Sequence, residues 1–330
     1  MRRPAAIVGA LVVTLALAAG AESRDARVLA FAQDGAAYAW VTAPCTAHFR
    51  TSASAKTVEA VVPFNAQCPF GKLVLFHGRL LWLDVQPAIS FDTEVNVWMP
   101  GQPAPWGEGL SLNCCSGAGS YVAAIGAGGG TAAYAVVDVD ATNCTQYSCD
   151  NHVTGGHLTV LYPTYRKLPA DVAAALISVA GQRIALVPAP GDATSPLSTF
   201  QPMDTSASVE VRSARTGELL WRVDTPQPVA ELAASTRVVA ALLRTSTQSS
   251  SIVVYDAATG RLLRTVTVAA SASDLGASGD RIVYRTDKQI RLLRHPDPVA
   301  VASGNPVGLS ISGNRVGWGD ATGIHLARVP

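Results

Sequence analysis

One pattern recurs seven times along this chain: a short apolar strand, a small-residue turn and a second apolar strand. The clearest copies are Leu309–Trp318, Leu275–Tyr284 and Ile177–Leu186, each turning through Gly-x-Arg. Leu73–Trp82 matches with its glycine moved by one place, and weaker copies run through Glu231–Ala240, Tyr121–Tyr134 and Val28–Trp40. Anchored on the position that is Arg in most copies, the register is Ala37, Arg79, Thr131, Arg183, Arg237, Arg281 and Arg315. The steps between them are 42, 52, 52, 54, 44 and 34 residues. Three places further on stand Trp40, Trp82, Tyr134, Leu186, Ala240, Tyr284 and Trp318. Each copy reads as a β-hairpin, most with a glycine at the turn to supply positive φ.

A second hairpin follows in several units. Ser208–Val223 and Ser251–Val266 align without gaps, each as two alternating strands around a Thr-Gly turn. Two hairpins make a four-stranded sheet, and such sheets repeating at 40–50 residues are the signature of propeller blades. One such sheet cannot bury both of its faces, whereas neighbours packed around an axis can. The expectation is therefore a single all-β domain, residues 22–330: a seven-bladed β-propeller of four-stranded antiparallel blades. Fifteen residues follow Arg315, enough for two strands, so the last blade is expected to have three strands unless residues after the leader complete it. The recurring aromatic position is expected to be inter-blade core.

The first 21 residues read as a secretory signal peptide. Arg2 and Arg3 precede an apolar run from Ile7 to Ala19, and Ala19-Gly20-Ala21 offers small residues for cleavage before Glu22. The expected location is secreted, extracellular or periplasmic, with no membrane span after cleavage. Removing the leader leaves 23 basic against 24 acidic residues, a net charge of −1 with no electrostatic footprint for nucleic acid. The six cysteines, Cys45, Cys68, Cys114, Cys115, Cys144 and Cys149, are disulfide candidates in an oxidising compartment, with fifteen arithmetically possible pairings. None has zinc spacing, and no metal site is expected.

The stretches Ala214-Arg-Thr-Gly-Glu-Leu-Leu-Trp221 and Asp256-Ala-Ala-Thr-Gly-Arg-Leu-Leu263 resemble the quinoprotein-type, WD40-like propeller repeat. The resemblance implies a propeller blade. Because non-catalytic propellers share the repeat, it says little about activity. Family members that oxidise alcohols hold a quinone on calcium, some beneath a disulfide of adjacent cysteines, which gives Cys114-Cys115 its interest. No other unit here keeps the Thr-Gly-x-Leu-Leu turn, and no acids beside an Asn form the family's metal site. No cofactor is required by the sequence; calcium stays open as a candidate and a quinone is disfavoured. Cys114 and Cys115 are expected instead to bridge neighbouring loops, with Cys144 and Cys149 as candidate partners.

Strand order assigns the loops to two rims. Turns within hairpins fall on one rim; links from second to third strand, and from blade to blade, fall on the other. The links read as long at Pro100–Ser120, Asp138–Gly156 and Pro188–Ala207, and all six cysteines belong to that link rim. Long loops on a rigid scaffold are where binding normally resides. The densest polar groups there, Asp138, Asp140, Asn143, Asp150, His152 and His157, are the candidate ligand-binding residues. Asp138-x-Asp140 supplies two oxygens for calcium but lacks the glycine and distal Glu of an EF-hand loop, and His152 with His157 lacks a third zinc ligand. Neither Gly-x-Ser-x-Gly nor a phosphate-cradling glycine motif is present, so no catalytic residue is assigned. The expected function is a binding or scaffold module engaging an extracellular protein or carbohydrate. The alternative is a propeller enzyme, whether hydrolase, lyase or quinone-dependent oxidoreductase, with its site at the central channel.

Overall fold

The computed structural model describes residues 27–43, 45–61, 70–87, 90–102, 106–113, 118–142, 150–193 and 205–329. The leader and five of the six cysteines lie outside this set, as does Asn143.

Blade 1 comprises β1 (Val28–Asp34), β2 (Ala37–Thr42), β3 (Thr46–Arg50) and β4 (Val58–Val61). Blade 2 comprises β5 (Phe70–Phe76), β6 (Arg79–Pro87), β7 (Ser90–Trp98) and β8 (Trp106–Asn113). Blade 3 is the largest, with β9 (Ala118–Gly128), β10 (Thr131–Thr142), β11 (Asp150–Tyr162) and β12 (Arg166–Asp171). Blade 4 comprises β13 (Ala174–Ala180), β14 (Arg183–Pro188), β16 (Ser208–Ser213) and β17 (Leu219–Asp224); before β16 the chain lends a short β15 (Asp192–Ala193) to β11 of blade 3. Blade 5 holds β18 (Val229–Ala234), β19 (Val238–Arg244), β20 (Ser249–Asp256) and β21 (Leu262–Ala269). Blade 6 holds β22 (Ala272–Ser278), β23 (Arg281–Thr286), β24 (Gln289–Leu292) and β25 (Ala300–Val301). Blade 7 has three strands, β26 (Val307–Ser312), β27 (Arg315–Asp320) and β28 (Gly323–Arg328). Pairing within each blade is antiparallel and follows chain order. First strands of successive blades touch around the whole circle, with β26 against β1, so seven blades close a ring.

The Arg-anchored register marks the start of the second strand in six blades and falls one residue before it in blade 5. Three residues further on, Trp82, Tyr134, Leu186, Ala240, Tyr284 and Trp318 are buried, while Trp40 is half-buried and stacks on His48 at 4.8 Å and 9°. Packing alternates by parity, as a pleated sheet requires. Leu80 and Trp82 pack with the Ala39, Val41 and Phe49 face of blade 1, while Leu81, Leu83 and Val85 pack with Tyr134 and Val136 of blade 3.

Polar contacts between hairpin turns bind neighbouring blades. Ser312 Oγ accepts from Gly35 N (2.9 Å), Asp34 Oδ2 from His77 N (2.8 Å), Ser178 Oγ from Ala234 N (2.8 Å) and Ser278 Oγ from Gly313 N (2.9 Å). Gly181 N donates to Gly128 O at 2.9 Å, and Ser235 Oγ donates to Gly279 O. Ring closure between blades 7 and 1 adds Arg315, which donates to Gln33 Oε1 (3.1 Å), Ala36 O (3.2 Å) and Gly35 O, with its guanidinium over the Tyr38 ring. Between blades 4 and 5, Trp221 donates from Nε1 to Ala257 O (3.1 Å) and lies on Gly260, where a Cβ would come within 2.8 Å of the indole. This contact is what the Thr-Gly turn and the Leu-Leu-Trp strand accomplish together.

Three neighbouring blades share a polar arrangement. The second-strand aromatic is followed two residues later by Thr42, Asp84 or Asp320, and the residue paired across from the aromatic is His48, Asn96 or His325. The contacts are Thr42 Oγ1 with His48 Nε2 (2.9 Å), Asn96 Nδ2 to Asp84 Oδ2 (3.0 Å) and His325 Nε2 with Asp320 Oδ1 (2.8 Å). Burial opposes ionisation of Asp320, but hydrogen bonds from Thr322, Ser303 N and His325 override it and hold the carboxyl well below the usual range. Asp84 differs. Trp82 Nε1 and Asn96 Nδ2 both reach Oδ2, and the buried Oδ1 has no partner among the described residues. Burial pushes this carboxyl up to about 6, Trp82 pulls it down, and Glu94 opposite adds a further push upward.

Two outcomes are expected. Gly260→Ala must hold a Cβ at φ +71 against an indole, and should lower unfolding free energy by roughly 2 kcal/mol in urea titrations. Because the Asp84 carboxyl titrates higher folded (about 6) than unfolded (3.8), folding is disfavoured as pH rises through that window and stays so above it. Asp84→Asn should therefore raise the melting temperature by a few degrees (about 2–4 °C per kcal/mol) at pH 8, with the gain vanishing near pH 4.

Candidate functional site

Blade 3 departs from the other blades. Its β10 and β11 run 12 and 13 residues, and β15 pads the far end of the hairpin by pairing Asn151 with Ala193 and His152 with Asp192. Much of what reads as a loop over Asp138–Gly156 is thus paired strand, with Asp140 opposite His152 and Thr142 opposite Asp150. Alternation explains the misreading: Val137 and Val139 turn inward while Asp138, Asp140 and Thr142 turn out, a polar stripe that resembles loop composition. Likewise β8 and the start of β9 take up most of the expected Pro100–Ser120 link.

The six sequence-derived candidates divide accordingly. Asp138 and His157 join one cluster. Asp140 and His152, both exposed, face each other further along the hairpin, and Asp150 is paired beyond them. Asn143 is outside the described residues. Among the described cysteines, Cys45 sits in the β2–β3 link on the link rim.

The cluster forms where β8 of blade 2 meets blade 3. Asp138 Oδ1 accepts from Ser120 Oγ at 2.6 Å. Gly155 lets two carboxylates converge, since a Cβ there would sit 3.1 Å from Asp171 Oδ1 and 3.7 Å from Asp138 Oδ2. Gly156 N donates to Asp171 Oδ1 at 3.1 Å. His157 stands opposite Val136 on the blade 2 side. Burial and the Lys167 cation lower its pKa, against the upward pull of Asp138 and Glu108, so the imidazole is neutral at pH 7. Glu108 Oε2 accepts from Tyr134 Oη (2.6 Å) and Tyr165 Oη (3.1 Å). At the end of the seam Trp106 meets Tyr165 edge to face, with ring centres 6.3 Å apart and planes at 76°. Glu108, Trp106, Tyr165, Lys167 and Asp171 escaped the sequence reading. Their only local signal is the alternation that puts Trp106 and Glu108 on one strand face.

The seam therefore mixes carboxylates, hydroxyls, a neutral imidazole and one ammonium. No group of three His, Cys, Asp or Glu able to hold a metal ion occurs among the described residues.

The channel mouth carries a second set of charges. Every innermost strand has a bulge near this end. Lys72 follows the bulge in blade 2 and Glu231 follows it in blade 5, while Asp274 lies within that of blade 6. Glu231 accepts from Leu275 N at 2.8 Å, and Asp274 pairs with Arg285. Lys72 keeps an exposed surface within a protein-dense surround, so desolvation lowers its pKa while the charge of Glu231 raises it. Desolvation likewise raises the Glu231 carboxyl.

Solved structures match this chain over nearly its whole length. The WD40 domain of Neurospora crassa Pan2 superposes with a TM-score of 0.55 at 8% identity, covering 92% of this chain and 90% of that one. Hsv2 from Kluyveromyces lactis gives 0.52 at 12% identity, covering 90% of each chain. The computationally designed Ika8 protein gives 0.52 at 14% identity, covering 93% of this chain and 98% of that one. At these identities the likeness is one of fold, that of a β-propeller. No protein-family profile matches the chain, and no curated protein matches it.

The His157 environment can be read directly by NMR titration. Its midpoint should fall below 6.5, shift up in Lys167→Gln and shift further down in Asp138→Asn.

Proposed function

We propose that this propeller is exported and acts as a binding or scaffold module, engaging an extracellular protein or carbohydrate through the link rim near blade 3. The observation that carries this reading is that, among the described residues, blade 3 has the longest strands. The lengthened β10–β11 hairpin, padded by β15, projects Asp140 and His152 from a ring whose other blades remain short. A rigid scaffold elaborated at one place, with polar side chains turned outward, is the usual build of a recognition surface. The apolar run before Ala19-Gly20-Ala21 supports export, and the sequence positions of Cys68, Cys114, Cys115, Cys144 and Cys149, all within link-rim segments, support a disulfide-braced face.

A second reading places a ligand or substrate at the channel mouth. It is favoured by Lys72, Glu231 and Asp274 gathered there from three blades.

The first reading is tested on the mature protein with washed cell envelopes of the producing organism. Replacing residues 140–152 by Asn-Gly joins Val139 to Val153, which pair in the parent, through a two-residue turn. The parent should sediment with the envelopes and the shortened variant should not, with unchanged β-sheet circular dichroism; equal sedimentation of the two sinks the reading. Lys72→Met with unaltered envelope binding keeps the channel apart from this role.

A further inference from the structure

We propose that Trp106, Tyr165 and Glu108 form a saccharide-binding subsite at the turn-rim end of the seam between blades 2 and 3, taking a neutral pyranose.

Trp106 is 49% exposed, whereas the other five tryptophans are buried or half-buried in the inter-blade packing. Tyr165 is 55% exposed and stands at 76° to the indole, so the two rings form an open corner rather than a stacked pair. Leaving this much aromatic surface in water is unfavourable unless something covers it. The floor of the corner is polar. Glu108 lies two residues along β8 from Trp106 on the same strand face, about 7 Å further on, and holds both tyrosine hydroxyls. Tyr134, whose hydroxyl approaches Thr159 as well as Glu108, is held well above the normal phenol range, chiefly by burial. That phenol keeps its proton and remains a fixed donor to Glu108.

A pyranose suits this combination. Its axial C–H groups present an apolar face to an aromatic ring, and its equatorial hydroxyls both donate to carboxylate oxygens and accept from hydroxyls. A purely apolar peptide side chain would desolvate Glu108 and Tyr165 Oη while offering nothing to the acceptor positions that their mutual hydrogen bond leaves over. An anionic ligand would meet Glu108 first, with Lys167 as the cation coupled to the neighbouring His157. The corner opens at the rim opposite the β10–β11 hairpin, so the subsite stands independently of the partner reading above.

Affinity gel electrophoresis of the mature protein tests it, with hydroxyethyl cellulose, galactomannan, laminarin, arabinoxylan and pullulan as the probes. Retardation by at least one of them is expected. Trp106→Ala and Tyr165→Ala should each weaken it about tenfold or more, and Tyr165→Phe should fall between. Trp106→Leu keeps apolar bulk without a π face, and repeats the test if the alanine variant fails to fold. The variant with residues 140–152 replaced should be retarded like the parent. Absence of retardation on all five polymers, or retardation equal in parent and Trp106→Leu, overturns the proposal.

Discussion

The structure depends on one constraint: no blade can hide its own two faces. A four-stranded sheet with Leu80 and Trp82 on one side and Leu81, Leu83 and Val85 on the other is apolar both ways, and each side finds its cover only in a neighbour. Each inter-blade core therefore belongs to two sheets, and the ring has no blade that would be stable without the next. The second-strand aromatics Trp82 and Tyr134 are among the largest fully buried side chains, and serine and aspartate contacts between hairpin turns tie the blades together at four of the junctions. Closure joins the first and last blades, which no chain link connects directly. Here Arg315 spans that junction while Gly308, Gly317 and Gly319 let Phe31 and Val28 come close.

The architecture was legible because a turn between two buried strands leaves a strong local trace. Gly181, Gly279 and Gly313 sit at positive φ just before the second strand, and their spacing from the buried residue five positions on survives wherever the loops vary. The Thr-Gly turn before Leu-Leu was equally readable, although the reason that Gly260 is needed, an indole from the previous blade, lies almost 40 residues away in the chain. Contacts of that kind leave no local pattern. Glu108 meets Tyr134 and Tyr165 only because blades 2 and 3 are adjacent, and in sequence it is one acid among glycines. Asp138 and His157 were found for their polarity, and the convergence of Asp171 on the same place depends on a pair of glycines whose role becomes visible only in three dimensions.

Two kinds of charged surface coexist on this ring. On the innermost strands, bulges at equivalent positions carry Lys72, Glu231 and Asp274, and desolvation pulls the pKa of lysine down and that of Glu231 up. Along the seam the groups are more open, and the carboxylates accept hydrogen bonds from Ser120, Tyr134, Tyr165 and Gly156 N. The seam runs from an aromatic corner at the turn rim toward the projecting hairpin at the link rim. Both ends thus rest on blade 3, and a change in how that blade packs against blade 2 would be felt at each.

Blade 7, one strand narrower than its fellows, keeps Asp320 and the Trp318–His325 stack a single strand from bulk water. The carboxylate that knits Ser303, Thr322 and His325 together is stabilising only while ionised, so its contribution is complete near neutrality and drains away as acidity passes below the ordinary aspartate range of about 4. Acid therefore loosens blade 7 from within, where Asp320 meets Ser303, Thr322 and His325, and leaves untouched the Arg315 clasp to blade 1, whose acceptors are the Gln33 amide oxygen and backbone carbonyls.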